Sequence, residues 1–114
     1  MGSSIVEASL RNVKFIGCQC DYMVLGGSNL KDVDFQNCSL QQAGLGQCKF
    51  NKVNFKACNM KEIELIGSNI KGLDLSTCEI EGIKVRLEQL RGVVISLMQS
   101  AEFTKMLGLK IKTE

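Results

Sequence analysis

Apolar residues recur in this chain every five positions, beginning at Leu10. The sixteen members of this central column are Leu10, Phe15, Cys20, Leu25, Leu30, Phe35, Leu40, Leu45, Phe50, Phe55, Met60, Leu65, Ile70, Leu75, Ile80 and Val85. A second column, two residues earlier in each unit, is apolar or cysteine in fourteen of sixteen units, and the residue between the columns is polar or charged in fourteen. This alternation predicts short strands, because a helix would need apolar residues three and four apart. A strict internal period predicts a solenoid.

Residues twenty positions apart are alike, which adds a longer period to the shorter one. Phe15, Phe35 and Phe55 are followed by Leu75, and the second column contains four identical residues, Cys18, Cys38, Cys58 and Cys78. Such sorting is expected if four units close one square coil and like side chains stack in successive coils.

The individual units resemble the pentapeptide-repeat family, in which a small residue and Asp or Asn precede Leu or Phe. Clear examples are the units at 8–12, 28–32 and 58–62, which read ASLRN, SNLKD and CNMKE. The resemblance implies an all-β solenoid, a right-handed quadrilateral parallel β-helix of about four coils. We assign residues 1–7 to an N-terminal tail or to cloning-derived residues, 8–87 to the β-helix and 88–114 to a C-terminal cap and dimerisation segment.

The regular pattern stops after Val85, and a different ending follows. Val93–Ile95 predicts a last short strand, Ser96 is a candidate N-cap, and 97–107 is predicted to be helical with Gly108 as its stop. Residues 109–112 alternate as a terminal strand. This ending resembles the helix and strand with which many bacterial pentapeptide-repeat proteins close the coil and form dimers.

The predicted helix is apolar on two opposite sides. Leu97, Met98 and Ala101 cover one side, and Phe103, Met106 and Leu107 cover the other. We expect one side to plug the last coil and the other to contact a second copy, since exposed apolar patches mark interfaces. The predicted homodimer interface is Phe103, Met106, Leu107, Leu109 and Ile111. The alternative is a helix buried entirely within its own domain.

Little in the sequence predicts catalysis. Histidine and tryptophan are absent, which excludes Ser-His and Cys-His nucleophiles and histidine metal ligands. The carboxylates fall mainly at outward, solvated positions, so we expect no enzyme, no catalytic residues and no cofactor.

The six cysteines all occupy inward positions, where we expect free, buried thiols. A zinc site from Cys18, Cys20 and Cys38 would lack a fourth ligand, so no metal is expected. Disulfides between column neighbours are not excluded by distance, because adjacent coils are about 4.8 Å apart.

The outer walls are therefore the candidate functional surfaces. The basic wall carries Arg11, Lys31, Lys49, Lys52 and Lys71 against Asp32, and the opposite, acidic wall carries Lys61 against Asp21, Glu62, Glu79 and Glu81. A third wall is poor in charge and includes Val24 and Ile66. The basic wall and this uncharged wall are the candidate docking walls.

These observations favour a non-catalytic protein-protein interaction module. The family resemblance also supplies an alternative, a DNA gyrase or topoisomerase protection protein that imitates DNA and confers quinolone or toxin resistance. DNA mimicry requires a strongly negative surface, whereas the net charge here is +2. Nucleic-acid binding through the basic wall is disfavoured because no aromatic residues are interleaved with its cations. The sequence shows neither a signal peptide nor a membrane span, which predicts a cytoplasmic protein that does not bind membranes.

Overall fold

The structure is a computed structural model, and it describes residues 8–108. Three parallel strands of eight residues form one sheet in the order β1 (Ser9–Ile16), β2 (Asn29–Gln36) and β3 (Lys49–Lys56). A 3₁₀ helix at Leu87–Leu90 and the α-helix α1 at Ser100–Met106 follow near the C-terminal end. The predicted terminal strand at 109–112 lies outside the described residues.

Every strand pairing joins residues twenty apart, as the sequence period predicts. Phe15 pairs with Phe35, and Phe35 with Phe55. Isolated parallel bridges continue the same register on the other sides, joining Gln19, Ser39, Asn59 and Glu79 in one series and Val24, Gly44, Glu64 and Lys84 in another. One coil is therefore four five-residue units, and the predicted parallel quadrilateral β-helix is confirmed.

The corners of the coil lie at the last residue of each unit. Met23 N donates to Cys20 O at 3.1 Å across Tyr22, whose φ is 64°, and this is the positive φ that a type II turn requires at its third residue. In the first three coils one corner falls inside the strand, at Asn12, Asp32 or Lys52, so a single strand covers two walls. The pattern correctly predicted corners but not this merging of two short strands into one long one.

The core consists of stacked columns, as predicted. The ring centroids of Phe15 and Phe35 are 4.9 Å apart, with an angle of 9° between the ring planes. Those of Phe35 and Phe55 are 5.1 Å apart, with an angle of 5°. Leu25, Leu45 and Leu65 stack in the same way and are fully buried. Within residues 8–108, each buried side-chain nitrogen or oxygen has a hydrogen-bond partner, which is expected of a well-satisfied interior.

Two glutamines complete the C-terminal end of the coil. Gln89 Nε2 donates to Leu65 O at 2.7 Å and Ser68 O at 2.8 Å, and Gln99 Nε2 donates to Leu75 O and Cys78 O, both at 2.7 Å. The amide of Gln89 thus spans the corner between the third and fourth coils, and the amide of Gln99 spans a corner within the fourth coil. The side chains satisfy groups that a further coil would otherwise cover.

The helix begins later than the sequence predicted, and its N-cap is Gln99 rather than Ser96. Ser96 Oγ accepts from Gln99 N at 3.2 Å, and Gln99 Oε1 accepts from Ser96 N at 2.7 Å, which is a capping box. Residues 97–99 form a turn, and α1 starts only at Ser100, because Gln99 is held by its bonds to the coil. At the other end, Gly108 has φ 74° and terminates the helix as predicted.

Candidate interaction surfaces

The cations assigned to the basic wall are all exposed. Arg11 and Lys31 are direct partners on β1 and β2, Lys49 and Lys52 lie on β3, and Lys71 follows in the fourth coil. Among the described residues, neither ion pair involves these side chains. Like charges on adjacent strands repel each other, so this wall would gain from an acidic partner.

The structure adds Arg91 to this wall. A Cβ built on Gly92 would lie 3.4 Å from Gly72 N and 3.6 Å from Lys71 Cγ, so the segment containing Arg91 and Gly92 stacks on the one containing Lys71 and Gly72. Arg91 is exposed. The sequence did not indicate this, because the recognisable units end near residue 87, although a step of twenty from Lys71 leads directly to Arg91.

The acidic wall offers fewer free charges than its composition suggests. Asp21 is half-buried and accepts hydrogen bonds from Ser39 Oγ at 2.6 Å and Gln41 N at 2.8 Å. Glu79 pairs with Lys61 at 3.3 Å, an exposed contact of the kind that contributes little to stability. Two of the wall's carboxylates, those of Asp21 and Glu79, therefore bind groups of the coil itself, so the wall is not a uniform negative surface.

The third wall is less flat and less neutral than the sequence indicated. Val24 is 40% exposed, whereas Ile66 is half-buried, and its backbone N donates to Glu64 Oε2 at 2.8 Å. The Glu64 carboxylate lies across Gly46, where an added Cβ would come within 2.5 Å of Oε2. This wall therefore places a carboxylate where small residues had suggested an uncharged surface.

The C-terminal end divides its apolar residues between core and solvent. Phe103 and Met106 are half-buried and pack against the core, so they form the plugging side of α1. Leu97 and Met98 are 89% and 92% exposed, and Leu107 is 53% exposed. Of the predicted interface residues, only Leu107 is largely exposed in the single chain, while Leu109 and Ile111 lie outside the described residues.

The cysteines are free, and five of the six are buried. Burial raises the pKa of Cys20 to about 11 and also raises the pKa of Cys38 and Cys48. Interaction between the neighbouring Cys58 and Cys78 thiols lowers the pKa of Cys78, and the same interaction, together with burial, raises the pKa of Cys58. No group of three or more metal-ligating side chains occurs among residues 8–108, so Cys18, Cys20 and Cys38 do not form the zinc site considered above.

One solved structure supports the fold assignment, and a second aligns less closely. The chain is similar to HetL, a pentapeptide repeat protein involved in heterocyst differentiation regulation in the cyanobacterium Nostoc sp. strain PCC 7120, with a TM-score of 0.55 and 15% identity. The alignment covers 81% of this chain but 46% of HetL, so the chain spans less than half of that protein. The plasmid-mediated fluoroquinolone resistance protein QnrB1 aligns over 97% of this chain and 91% of its own, at 16% identity, with a TM-score of 0.32.

Sequence comparison identifies the family. No curated protein sequence matches the chain. None of the described helices is long and apolar enough to cross a membrane. The family model for pentapeptide repeats matches eight copies over residues 3–47 and 28–62, together just over half of the chain. The chain therefore belongs to the pentapeptide-repeat family.

Proposed function

We propose that this protein is a non-catalytic protein-protein interaction module that pairs with a second copy through its C-terminal end and offers its walls to another protein. One observation carries the proposal. Leu97 and Met98 extend into solvent just before a helix whose Phe103 and Met106 already pack against the core. Adjacent apolar side chains with this exposure are costly in water and favour an interface.

The distribution of the other exposed apolar residues supports this assignment. Within residues 8–108, the large hydrophobic residues with substantial exposure are Ile16, Tyr22, Val24, Leu87, Val94, Leu97, Met98 and Leu107. Five of these eight lie between residues 87 and 107, and none lies between residues 25 and 86. The middle of the solenoid thus presents polar walls, whereas its C-terminal end presents apolar groups.

The charges of the walls favour an acidic partner over the imitation of DNA. Five cations and Arg91 are exposed along one wall, while part of the negative charge on the opposite wall is engaged by Ser39, Gln41 and Lys61. A DNA mimic needs the reverse arrangement, a continuous negative surface. Binding to gyrase therefore ranks below binding to an acidic protein surface.

The dimer is tested by replacing Leu97 and Met98 with aspartate in one double variant. We expect the wild-type chain to elute as a dimer in size-exclusion chromatography with light scattering, and the variant to be a folded monomer. Ile16→Asp is the control, because Ile16 is 62% exposed but lies in the first coil. A monomeric wild-type chain, or a double variant that remains dimeric, would contradict the proposed interface.

Partner binding through the basic wall has its own test. The substitutions Lys31→Glu and Lys71→Glu, made together, should abolish capture of the native partner in cross-linking from the host, while Lys61→Glu on the acidic wall should leave it intact. Binding that survives reversal of the basic wall would show that another surface is used. Supercoiling protection of gyrase at near-stoichiometric protein would instead support the DNA-mimic function.

A further inference from the structure

The four cysteines of the second column form a ladder of thiols along the solenoid. Cys18, Cys38, Cys58 and Cys78 are each one coil apart. The neighbouring residues Gln19, Ser39, Asn59 and Glu79 are joined by parallel bridges in the same register. The backbone therefore holds the four thiols one above another.

Three of the four side chains, those of Cys38, Cys58 and Cys78, share one orientation. Cys38 Sγ donates to Phe15 O at 3.1 Å, Cys58 Sγ to Phe35 O at 3.2 Å, and Cys78 Sγ to Phe55 O at 3.6 Å. Because the same bond is repeated one coil further on, the sulfur atoms repeat at the spacing of the coils. The adjacent phenylalanine rings measure that spacing as 4.9 and 5.1 Å.

This spacing suits a metal ion held between two sulfurs. The midpoint between sulfurs about 5 Å apart is about 2.5 Å from each, close to the metal–thiolate bond length of about 2.3 Å seen for zinc. Thiolate ligands select soft cations. We propose that the thiol ladder binds soft d¹⁰ cations of the Cu(I) and Hg(II) class, each held linearly between two adjacent thiolates.

Binding is a simple exchange of protons for metal. Two S–H bonds break, two metal–sulfur bonds form, and both protons pass to water, with no oxidation or reduction. Hg(II) leaves the pair neutral, whereas Cu(I) leaves one negative charge, which is costly to bury. Tetrahedral Zn(II) needs four ligands, and the described residues contain no group of even three. The ladder should therefore bind metal ions that accept two ligands and reject those, such as Zn(II), that need four.

A surface groove gives ions a route to the ladder. It runs over the corner beside the column and is lined by Cys18, Cys38 and Cys58 together with small corner residues such as Gly17 and Ala57. Cys18, in the first coil, is itself half-exposed.

A neighbouring column provides the matched comparison. Ser28, Cys48 and Ser68 occupy the equivalent positions at another corner, so Cys48 has no thiol above or below it. Ser68 Oγ donates to Leu45 O at 2.5 Å, as Cys48 Sγ does to Leu25 O at 3.1 Å. Serine thus makes the same bond as cysteine in this fold, and Cys→Ser substitutions should preserve it.

The test compares two double variants that each retain four thiols. In Cys38→Ser with Cys78→Ser, no two ladder thiols remain adjacent, whereas Cys20→Ser with Cys48→Ser leaves the ladder intact. Reduced, anaerobic protein is titrated with Cu(I) as its bicinchoninate complex, with Hg(II) in the presence of a competing dithiol, and with Zn(II). Circular dichroism during thermal unfolding establishes that each variant is folded.

We expect wild-type protein and the intact-ladder variant to bind two soft ions per chain and no Zn(II), and the broken-ladder variant to lose both ions. Cys18→Ser with Cys58→Ser, which also separates the remaining ladder thiols, should behave identically and replaces the first variant if that one does not fold. Equal binding by both kinds of variant, equal binding of Zn(II), or no binding by wild-type protein would overturn the proposal.

Discussion

The repeating body and the C-terminal end satisfy the same backbone groups in different ways. In the body, each coil pairs with the next, so that Cys20 N donates to Ser39 O at 2.7 Å and Ser39 N donates to Cys18 O at 2.9 Å. At the C-terminal end, the side-chain amides of Gln89 and Gln99 instead donate to backbone carbonyls, those of Leu65, Ser68, Leu75 and Cys78. Regularity thus comes from the backbone, whereas termination depends on a few particular side chains.

The difference predicts where substitutions should be tolerated. In the body, a replaced inward residue disturbs a column shared by several coils, so its effect should spread through the molecule. At the end, a replaced glutamine should loosen only the last coil and the helix that it anchors. The predictions below test this contrast, beginning with the largest expected effect.

Phe35→Asp should abolish folding. Phe35 is fully buried and stacked between Phe15 and Phe55, so the substitution removes both ring contacts and buries an unpaired charge. Even Phe35→Ala should lower the free energy of unfolding by about 3–5 kcal/mol. Urea unfolding followed by circular dichroism measures both effects. Lys31→Asp places the same aspartate on the exposed side of β2 and should unfold cooperatively; retained cooperative unfolding by Phe35→Asp would refute the inward register.

Gln99→Leu should cost less, about 1–3 kcal/mol, because it removes the side-chain donor to the carbonyls of Leu75 and Cys78 and the capping box with Ser96. Amide hydrogen exchange should show faster exchange in α1 and the last coil, with the first three coils unchanged. The control is Gln19→Leu, at the equivalent, exposed position of the first coil. If the two variants were equally stable, the glutamine would have no role in closing the end.

The smallest predicted effects concern two glycines of one wall. Gly46→Ala should displace the Glu64 carboxylate, which lies within 2.5 Å of the added Cβ, and weaken its bond to Ile66 N at a cost of about 0.5–1.5 kcal/mol. Gly44→Ala meets no atom within 4 Å and should be neutral or stabilise by about 0.4–1 kcal/mol. Thermal unfolding of the two variants compares them directly, and a more stable Gly46→Ala would mean that Glu64 does not occupy this wall.

The repeating body could be predicted from the sequence because the same five-residue pattern occurs sixteen times. A single inward residue such as Val13 carries little information, but its repetition as Val33 and Val53 identifies a column. The buried register, the stacked rings and the basic wall all follow from this repetition. The start of α1 did not follow, because Gln99 is a single residue whose contacts with Leu75 and Cys78 have no local signal.

The surfaces were harder to predict than the core for a related reason. Outward side chains are not constrained by stacking, so the sequence did not indicate that Glu64 crosses Gly46 or that Phe103 and Met106 contact the core while Leu97 and Met98 remain exposed. Arg91 was also missed, although the period of twenty contained the signal. Its identification needed evidence that Gly92 continues to stack on Gly72.

The stacking of residues twenty positions apart is tested most directly by nuclear Overhauser contacts between phenylalanine rings in selectively labelled protein. Phe35 should show ring contacts to both Phe15 and Phe55, whose centroids lie 4.9 and 5.1 Å away, and Phe15 should show none to Phe55. If Phe35 showed no ring contacts to Phe15 and Phe55, or if Phe15 and Phe55 contacted each other directly, the four-sided coil would be contradicted. The walls, the thiol ladder and the closed end all depend on that coil.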